Sequence, residues 1–196
     1  MAEDLLARLK ERGALLEGHF RLSSGLHSSQ YLQCARVLMD PALATRIGAD
    51  LAAALRDVPG ADRPGAVVAP AIGGILVAHE LARALGCRAL FTERQEGIML
   101  LRRGFTLDAG ETVVVAEDVI TTGGSTREVI DAVGTRGARV AAVASVVDRS
   151  GGAAGFGVPF RSLLTLDIPT FPPATCPLCA KGGKPEMPGS RLPAAR

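Results

Sequence analysis

The sequence predicts an α/β protein with a mostly parallel central sheet flanked by helices and a small hood from the two ends of the chain. Three observations carry this expectation. The runs Ala66-Val67-Val68-Ala69, Thr112-Val113-Val114-Val115-Ala116 and Val140 to Val147 are unbroken by charge, the pattern of strands covered on both faces. Helical segments alternate with these runs, in the order of strand–helix–strand crossovers. From Phe156 onward the chain is irregular and carries Pro169, Pro172, Pro173, Pro177, Pro185, Pro188 and Pro193, which excludes a central strand or a long helix there. At 196 residues the length fits one domain, with the core at about 40–155 and the hood from about 1–39 and 156–196.

The elements follow in order. Ala2 to Arg12 places Leu5, Leu6 and Leu9 at helical spacing, with Gly13 as a stop. A polar, turn-rich passage runs from His19 to Ser28. Asp40-Pro41 then opens a second helix, Asp as N-cap and Pro at the first helical position, reaching about Arg56. The strand 66–69 ends at Pro70, and Gly73-Gly74 leads into a helix that stops near Leu85-Gly86. Arg88 to Thr92 is a short strand. The strand 112–116 is followed by a polar turn and a helix from about Ser125 to Val133, and Val140 to Val147 is the last strand. Ligands of such sheets sit beyond the carboxyl ends of the strands, which selects the loops after Ala69, Thr92, Ala116 and Val147.

Composition narrows the function. Hydrophobic residues make up 47% and charged residues 21%, as in ordinary globular domains and unlike disordered chains. A net charge of +2 gives no electrostatic reason for a nucleic-acid or membrane partner. Of 22 basic residues 19 are Arg, and no Lys lies between Glu11 and Ala180, so chemistry in that stretch proceeds without one. The start Met1-Ala2-Glu3-Asp4 is acidic, unlike a secretory signal. The longest uncharged apolar stretch, Gly65 to Ala78, is shorter than the roughly 18 residues of a membrane span. A soluble cytoplasmic protein is the expectation.

The most informative segment is Val113 to Thr126. An apolar strand ends in Glu117-Asp118, then Val119-Ile120-Thr121-Thr122-Gly123-Gly124-Ser125 feeds a helix. The turn suits an anion: glycines allow close backbone approach, the helix start offers unpaired N–H groups, and hydroxyls add donors. No Lys follows the glycines as in a Walker A loop, and the dinucleotide spacing of glycines is absent. A phosphate monoester fits. Two carboxylates beside a phosphate cradle would repel it unless they served the hydroxyls of a ribose, with an oxygen able to hold Mg2+ directly or through water. Phosphate at one end and diol-binding acids at the other describe ribose 5-phosphate.

Other loops have their own chemistry. Pro70-Ala71-Ile72-Gly73-Gly74 bares backbone that could approach a pyrophosphate, or is a tight turn needing glycine. Glu93 to Gly104 carries Arg94, Arg102 and Arg103, either a loop closing over an anion or a solvated hairpin arm. Arg149 follows the last strand; its planar guanidinium suits a planar carboxylate, or pairs with Asp148 on the surface. Cys176-Pro177-Leu178-Cys179 supplies two of the four ligands of a structural zinc. No second pair exists, and Cys34, Cys87 and the three His have no matching spacing. Reduced thiols or a labile disulfide are expected there, with a zinc half-site completed by a second subunit as the alternative.

Glu117 to Ser125 resembles the phosphoribosyl-pyrophosphate (PRPP) motif of the type I phosphoribosyltransferases. Phe20-x-Leu22-Ser23-Ser24-Gly25-Leu26-x-Ser28-x-x-Tyr31, Val147-Asp148-Arg149 and the tail motifs Cys-Pro-Leu-Cys and Pro-Gly-Ser-Arg resemble the orotate-specific branch of that family. The resemblance implies the type I phosphoribosyltransferase fold, transfer of ribose 5-phosphate from PRPP to orotate in pyrimidine (UMP) synthesis, Mg2+ brought with PRPP and held in part by Asp118, and a homodimer whose mobile loops reach the neighbouring subunit. It implies that Ile72, Gly73 and Gly74 bind the pyrophosphate, Glu117 and Asp118 the ribose, and Val119 to Ser125 the 5-phosphate. Orotate falls to Thr121, Arg149, Ser24 and Gly25, and catalysis to Glu117, Asp118 and the loop arginines Arg94, Arg102 and Arg103. Other branches of the family carry lysines where Ser23, Gly73 and these arginines stand. Arg stays protonated, so it stabilises charge but is a poor proton donor. Two rivals remain: a purine transferase of the same fold, which needs no carboxylate-binding Arg149, and a non-catalytic PRPP sensor.

Overall fold

The structure is a computed structural model and describes residues 2–22 and 25–188. The chain opens with α1 (Ala2–Glu11), whose Leu5 and Leu9 turn inward, and the antiparallel hairpin β1 (Leu15–Arg21) and β2 (His27–Leu32). The short helix α2 (Ala35–Leu38) leads to α3 (Pro41–Ala54). Asp40 caps α3 as its position predicts, its Oδ1 accepting from the amides of Ala42 and Leu43. Next come β3 (Ala66–Pro70), α4 (Gly74–Leu85), β4 (Arg88–Gln95), β5 (Ile98–Leu101), β6 (Thr112–Ile120), α5 (Gly124–Gly134) and β7 (Arg139–Asp148). The chain closes with β8 (Phe160–Thr165), β9 (Thr170–Phe171), a 3-10 turn (Pro173–Thr175) and α6 (Pro177–Ala180).

Six strands form the main sheet in the order β5-β4-β3-β6-β7-β8, parallel except for β5. Alternate residues of the central strands feed opposite faces. Val67, Ala69, Val114 and Ala116 pack with Leu43, Ile47, Leu51, Val77 and Leu81 of α3 and α4. Val68, Val113 and Val115 pack with Val129 and Val133 of α5. Continuous apolar runs at 66–69 and 113–116 are therefore what burial on both faces demands. All three connected parallel strands β3, β6 and β7 present their carboxyl ends, and the loops that follow, to one edge.

One segment differs from the sequence-based expectation, and a second decides between two readings. Phe160–Thr165, assigned with the rest of 156–196 to the hood, adds a parallel strand beside β7, with Val143 opposite Phe160 and Val147 opposite Leu164. It lies at the sheet edge, where one ladder suffices and no continuous apolar run is needed, and the prolines that argued for irregularity lie outside it. Of the two readings of 93–104, the hairpin arm is the one built. β4 continues to Gln95, turns at Glu96-Gly97 with φ of 51° and 85°, and returns as β5. That two-residue turn has the left-handed pair of conformations that matches strand twist in a hairpin.

The hood contains a small sheet in the order β1-β2-β9. The tail returns to β1: the Arg21 amide donates to the Glu186 carbonyl at 2.8 Å, and the Glu186 amide donates to the His19 carbonyl at 2.7 Å.

Leu81 is fully buried between α4 and the sheet. Leu81→Ala is expected to cost about 2–5 kcal/mol of unfolding free energy by the lost transfer and cavity terms. Urea denaturation checks this; a loss within experimental scatter of zero would mean the α4 face is not the closed core described.

Candidate active site

The sequence puts Glu117 and Asp118 where the apolar strand ends and the polar turn begins. They lie within β6. Glu117 is still in register with Ser145 of β7, and the ladder resumes at Val119 opposite Val147. Consecutive strand residues start toward opposite faces, yet the two carboxyls reach one another in a side-chain hydrogen bond. Glu117 is 8% exposed and folds back so that the Asp118 amide donates to its Oε1 at 3.2 Å; Asp118 Oδ1 accepts from the Val119 amide at 2.9 Å.

The Asp118 carboxylate lies against Gly73. A Cβ placed on Gly73 would stand 2.8 Å from both Asp118 oxygens, so only glycine lets the loop after β3 approach the acid. Gly74 begins α4 and is similarly close to Ala69, while Ile72 is 85% exposed ahead of them. The expected pyrophosphate loop and acid pair are thus brought together. Cys34 joins them, its Sγ 3.9 Å from the Asp118 carbonyl, a neighbour that no spacing in the sequence could reveal.

The turn after β6 is built as the sequence suggests. Gly123 has φ of 75°, and a Cβ there would meet the Phe156 ring at 2.8 Å. α5 starts at Gly124, and Thr121, Thr122 and Ser125 are exposed around its first turn. Arg127, passed over in the sequence reading, fixes this turn: its guanidinium donates to the carbonyls of Thr122 at 2.7 Å and Gly155 at 3.2 Å and lies 5.4 Å from the Phe156 ring centroid. Its position four residues after Gly123, in the first helical turn, was the available signal.

Arg149 stands beside this turn, because its amide donates to the Ile120 carbonyl at 2.7 Å. It does not pair with Asp148, whose two oxygens accept from the amides of Ser150 at 2.7 Å and Gly152 at 3.0 Å. The buried carboxylate instead shapes the loop that carries Arg149. Arg149 Nε is buried and has no hydrogen-bond partner, and burial pulls the guanidinium pKa down from its ordinary value, while Tyr31 of the hood opposes that shift. A desolvated cation with an unused donor is suited to an anionic planar ligand.

The remaining predicted residues are less converged. Arg94 is paired with Glu128 of α5 and donates to the Gly97 carbonyl at 2.6 Å. Arg103 grips Glu93 through two contacts of 2.8 Å, and Arg102 is exposed. All three lie on or beside the hairpin arm, not against the acid pair. Gly25 forms a tight turn, φ 84°, with its amide donating to the Leu22 carbonyl at 2.9 Å; Ser24 lies outside the described residues.

Cys176 and Cys179 are free thiols, and what spacing did not show is their neighbours on the same chain: His19 of β1 and His27 of β2 meet them, and the four donor atoms lie within 4.8 Å of one another. The residues are too far apart in the chain for spacing to show this; the hairpin and the returning tail bring them together.

A glycine cradle, an acid pair and a helix start stand together at the carboxyl ends of the parallel strands. Residues 38–154 match the family described as "Phosphoribosyl transferase domain". Orotate phosphoribosyltransferase of Heliobacterium modesticaldum is 55% identical over 97% of this chain and 100% of its own length, and that of Carboxydothermus hydrogenoformans 54% identical over 96% and 97%. The crystal structure of orotate phosphoribosyltransferase from Aeropyrum pernix superposes with a TM-score of 0.65 at 32% identity, covering 83% of this chain and 93% of that one. The chain therefore belongs to the phosphoribosyltransferase family, enzymes that transfer a pentosyl group.

Burial raises the Glu117 pKa well above the usual carboxylate range, and the neighbouring Asp118 charge raises it further; burial also raises Asp118. Folded-state pKa values above the unfolded ones mean that the folded chain binds more protons. Stability therefore falls as pH rises from the ordinary carboxylate pKa through the raised ones. Asp118→Asn is expected to melt at a higher temperature than the parent at neutral pH and to lose stability less steeply across that window. Melting curves from pH 4 to pH 8 decide it; a variant that melts lower with an unchanged slope contradicts the strained pair.

Proposed function

We propose that the protein transfers ribose 5-phosphate from PRPP to orotate, giving orotidine 5′-phosphate and pyrophosphate in pyrimidine synthesis. The observation that carries this reading over a purine acceptor is Arg149, whose Nε is buried and unpartnered and whose backbone is bonded to Ile120, the residue before Thr121. A purine ring has no carboxylate to offer it; orotate has one in the ring plane. The curated relatives of nearly equal length carry the same activity in their names.

In this reading the turn Thr121–Ser125 holds the 5-phosphate through the first amides of α5 and its hydroxyls. Glu117 and Asp118 face the ribose hydroxyls, and Ile72, Gly73 and Gly74 offer backbone to the pyrophosphate. Orotate is held by Arg149 and Thr121, with the Gly25 turn closing from the hood. The ring nitrogen of orotate then attacks C1 of the ribose as pyrophosphate leaves through an oxocarbenium-like state, and the nearby carboxylates favour its positive charge. The Asp118 carboxylate, set against the Gly73 cradle, would take Mg2+ directly or through water; bound with the donor, the ion would offset charge on the leaving pyrophosphate. Arg94, Arg102 and Arg103 would serve the same leaving group once the hairpin arm moves, exchanging Glu128 and Glu93 for its oxygens.

We further propose a single transferase domain closed by a hood of β1, β2, β9 and the tail, and a homodimer that covers Ile98 and Leu100, exposed at 63% and 38% on the arm. No helix among the described residues is long and apolar enough to cross a membrane. A cytoplasmic setting follows from the donor, a multiply charged ester that does not enter a bilayer unaided.

A spectrophotometric assay with PRPP, Mg2+ and orotate, and with adenine, hypoxanthine and uracil in parallel, tests the reading. Orotate alone should be consumed, and EDTA should stop the reaction. Arg149→Ala should raise the orotate KM about 10- to 100-fold, the value of a hydrogen-bonded charge, with a smaller change in the PRPP KM. Turnover of a purine, or Arg149→Ala kinetics equal to the parent, would sink the acceptor assignment; PRPP binding without any turnover would leave a sensor.

A further inference from the structure

We propose that His19, His27, Cys176 and Cys179 bind one Zn2+ that clamps the tail of the chain onto the N-terminal hairpin, a site separate from the transferase centre. The geometry is that of a single tetrahedral ion. His19 Nε2 is 3.0 Å from His27 Nδ1, 3.6 Å from Cys176 Sγ and 3.7 Å from Cys179 Sγ, and Cys179 Sγ is 3.3 Å from His27 Nδ1. Bond lengths of about 2.0–2.1 Å for Zn–N and about 2.3 Å for Zn–S place tetrahedral ligand atoms about 3.4 Å apart for two nitrogens, about 3.6 Å for nitrogen and sulfur and about 3.8 Å for two sulfurs. These four separations lie within a few tenths of an ångström of those values, and the widest in the cluster, 4.8 Å, closes on the ion by a shift of about 1 Å.

The surroundings select the ligand atoms. His19 Nδ1 lies 3.1 Å from the Gly183 carbonyl, an acceptor only, so Nδ1 carries the proton and Nε2 turns its lone pair into the cluster. His27 is 5% and Cys176 3% exposed, so the site is largely shielded from water. Two imidazoles and two thiols suit Zn2+ and exclude the oxygen-seeking Mg2+ of the transfer reaction. A two-iron cluster would separate the His pair from the Cys pair on different irons. Here the His27–Cys179 separation of 3.3 Å is close to the His19–His27 separation of 3.0 Å, which fits one ion.

Its mechanical role follows from chain position. His19 and His27 sit on β1 and β2, while Cys176 precedes α6 and Cys179 lies within it. α6 has only four residues and the tail is rich in proline, so little other secondary structure holds 172–188 in place. β2 also carries Tyr31, which acts on Arg149 of the core. The ion would therefore fix the hood in its position beside the acceptor residue without touching substrate. The inference does not depend on the proposed acceptor.

Metal analysis tests it with the full chain, produced untagged in zinc-supplemented medium and passed through a desalting column. Mass spectrometry of the elements should find about one zinc per chain. Cys176→Ser/Cys179→Ser, and independently His19→Gln, should lower this about tenfold or more, while His79→Gln, a surface control, keeps it. Cobalt(II) added to metal-stripped parent should give the thiolate charge-transfer and tetrahedral ligand-field bands, so the result does not hang on the folding of any variant. Parent protein without zinc and without those cobalt bands overturns the proposal, as does equal zinc in parent and double Cys variant.

Discussion

Two carboxylates buried side by side at the carboxyl end of β6 are the constraint around which the rest of the molecule is arranged. Burial opposes the ionisation of both, and the Asp118 charge further opposes that of Glu117; the compensating contacts are few, a hydrogen bond between the two carboxyls and the amides of Asp118 and Val119, and no side-chain cation neutralises them among the described residues. Such a pair is tolerated where its unmet demand is useful. Around it stand a loop with no side chain at Gly73, a helix start stripped to glycine, and a cation, Arg149, that also lacks a full complement of partners. Charges of opposite sign are held apart within one edge of the sheet, so a ligand with a diol, phosphates and a carboxylate-bearing ring can satisfy all of them at once.

The division of labour between core and periphery follows. The parallel strands β3, β6 and β7 are apolar on both faces, so α3, α4 and α5 lock them rigidly and deliver their loops to one edge. Asp148 illustrates how that rigidity reaches the site: buried at the end of β7, it spends both oxygens on backbone amides and leaves Arg149 uncompensated. The hairpin arm and the hood are built differently. Their charges are paired on the surface, Arg103 with Glu93 and Arg94 with Glu128, contacts weak enough in water to be exchanged for a ligand.

Much of this was legible in the sequence because it rests on local rules. Apolar runs located β3, β6 and β7; Asp40-Pro41 located the start of α3; the order strand, acid pair, Thr-Thr-Gly-Gly-Ser, helix located the phosphate turn. The misreadings share a physical cause, which is that long-range pairing leaves little local trace. Phe160–Thr165 joins the sheet through a single ladder, so it lacks the periodicity of a central strand. Glu117 and Asp118 remain in β6 because partners in β7 continue past the apolar run. His19 and His27 complete the Cys176–Cys179 pair across more than half the sequence, and only the hairpin and the returning tail bring them together.

The pKa of the acid pair tests the central claim most directly. Carbon NMR of the side-chain carboxyls, titrated in the free protein, should place Glu117 well above an ordinary glutamate and Asp118 above an ordinary aspartate. Replacing Asp118 by Asn should lower the Glu117 pKa part of the way, since burial remains when the neighbouring charge is gone. Ordinary values for both acids, unmoved by the substitution, would mean that the pair is solvated and that the site is not organised around its unmet charge.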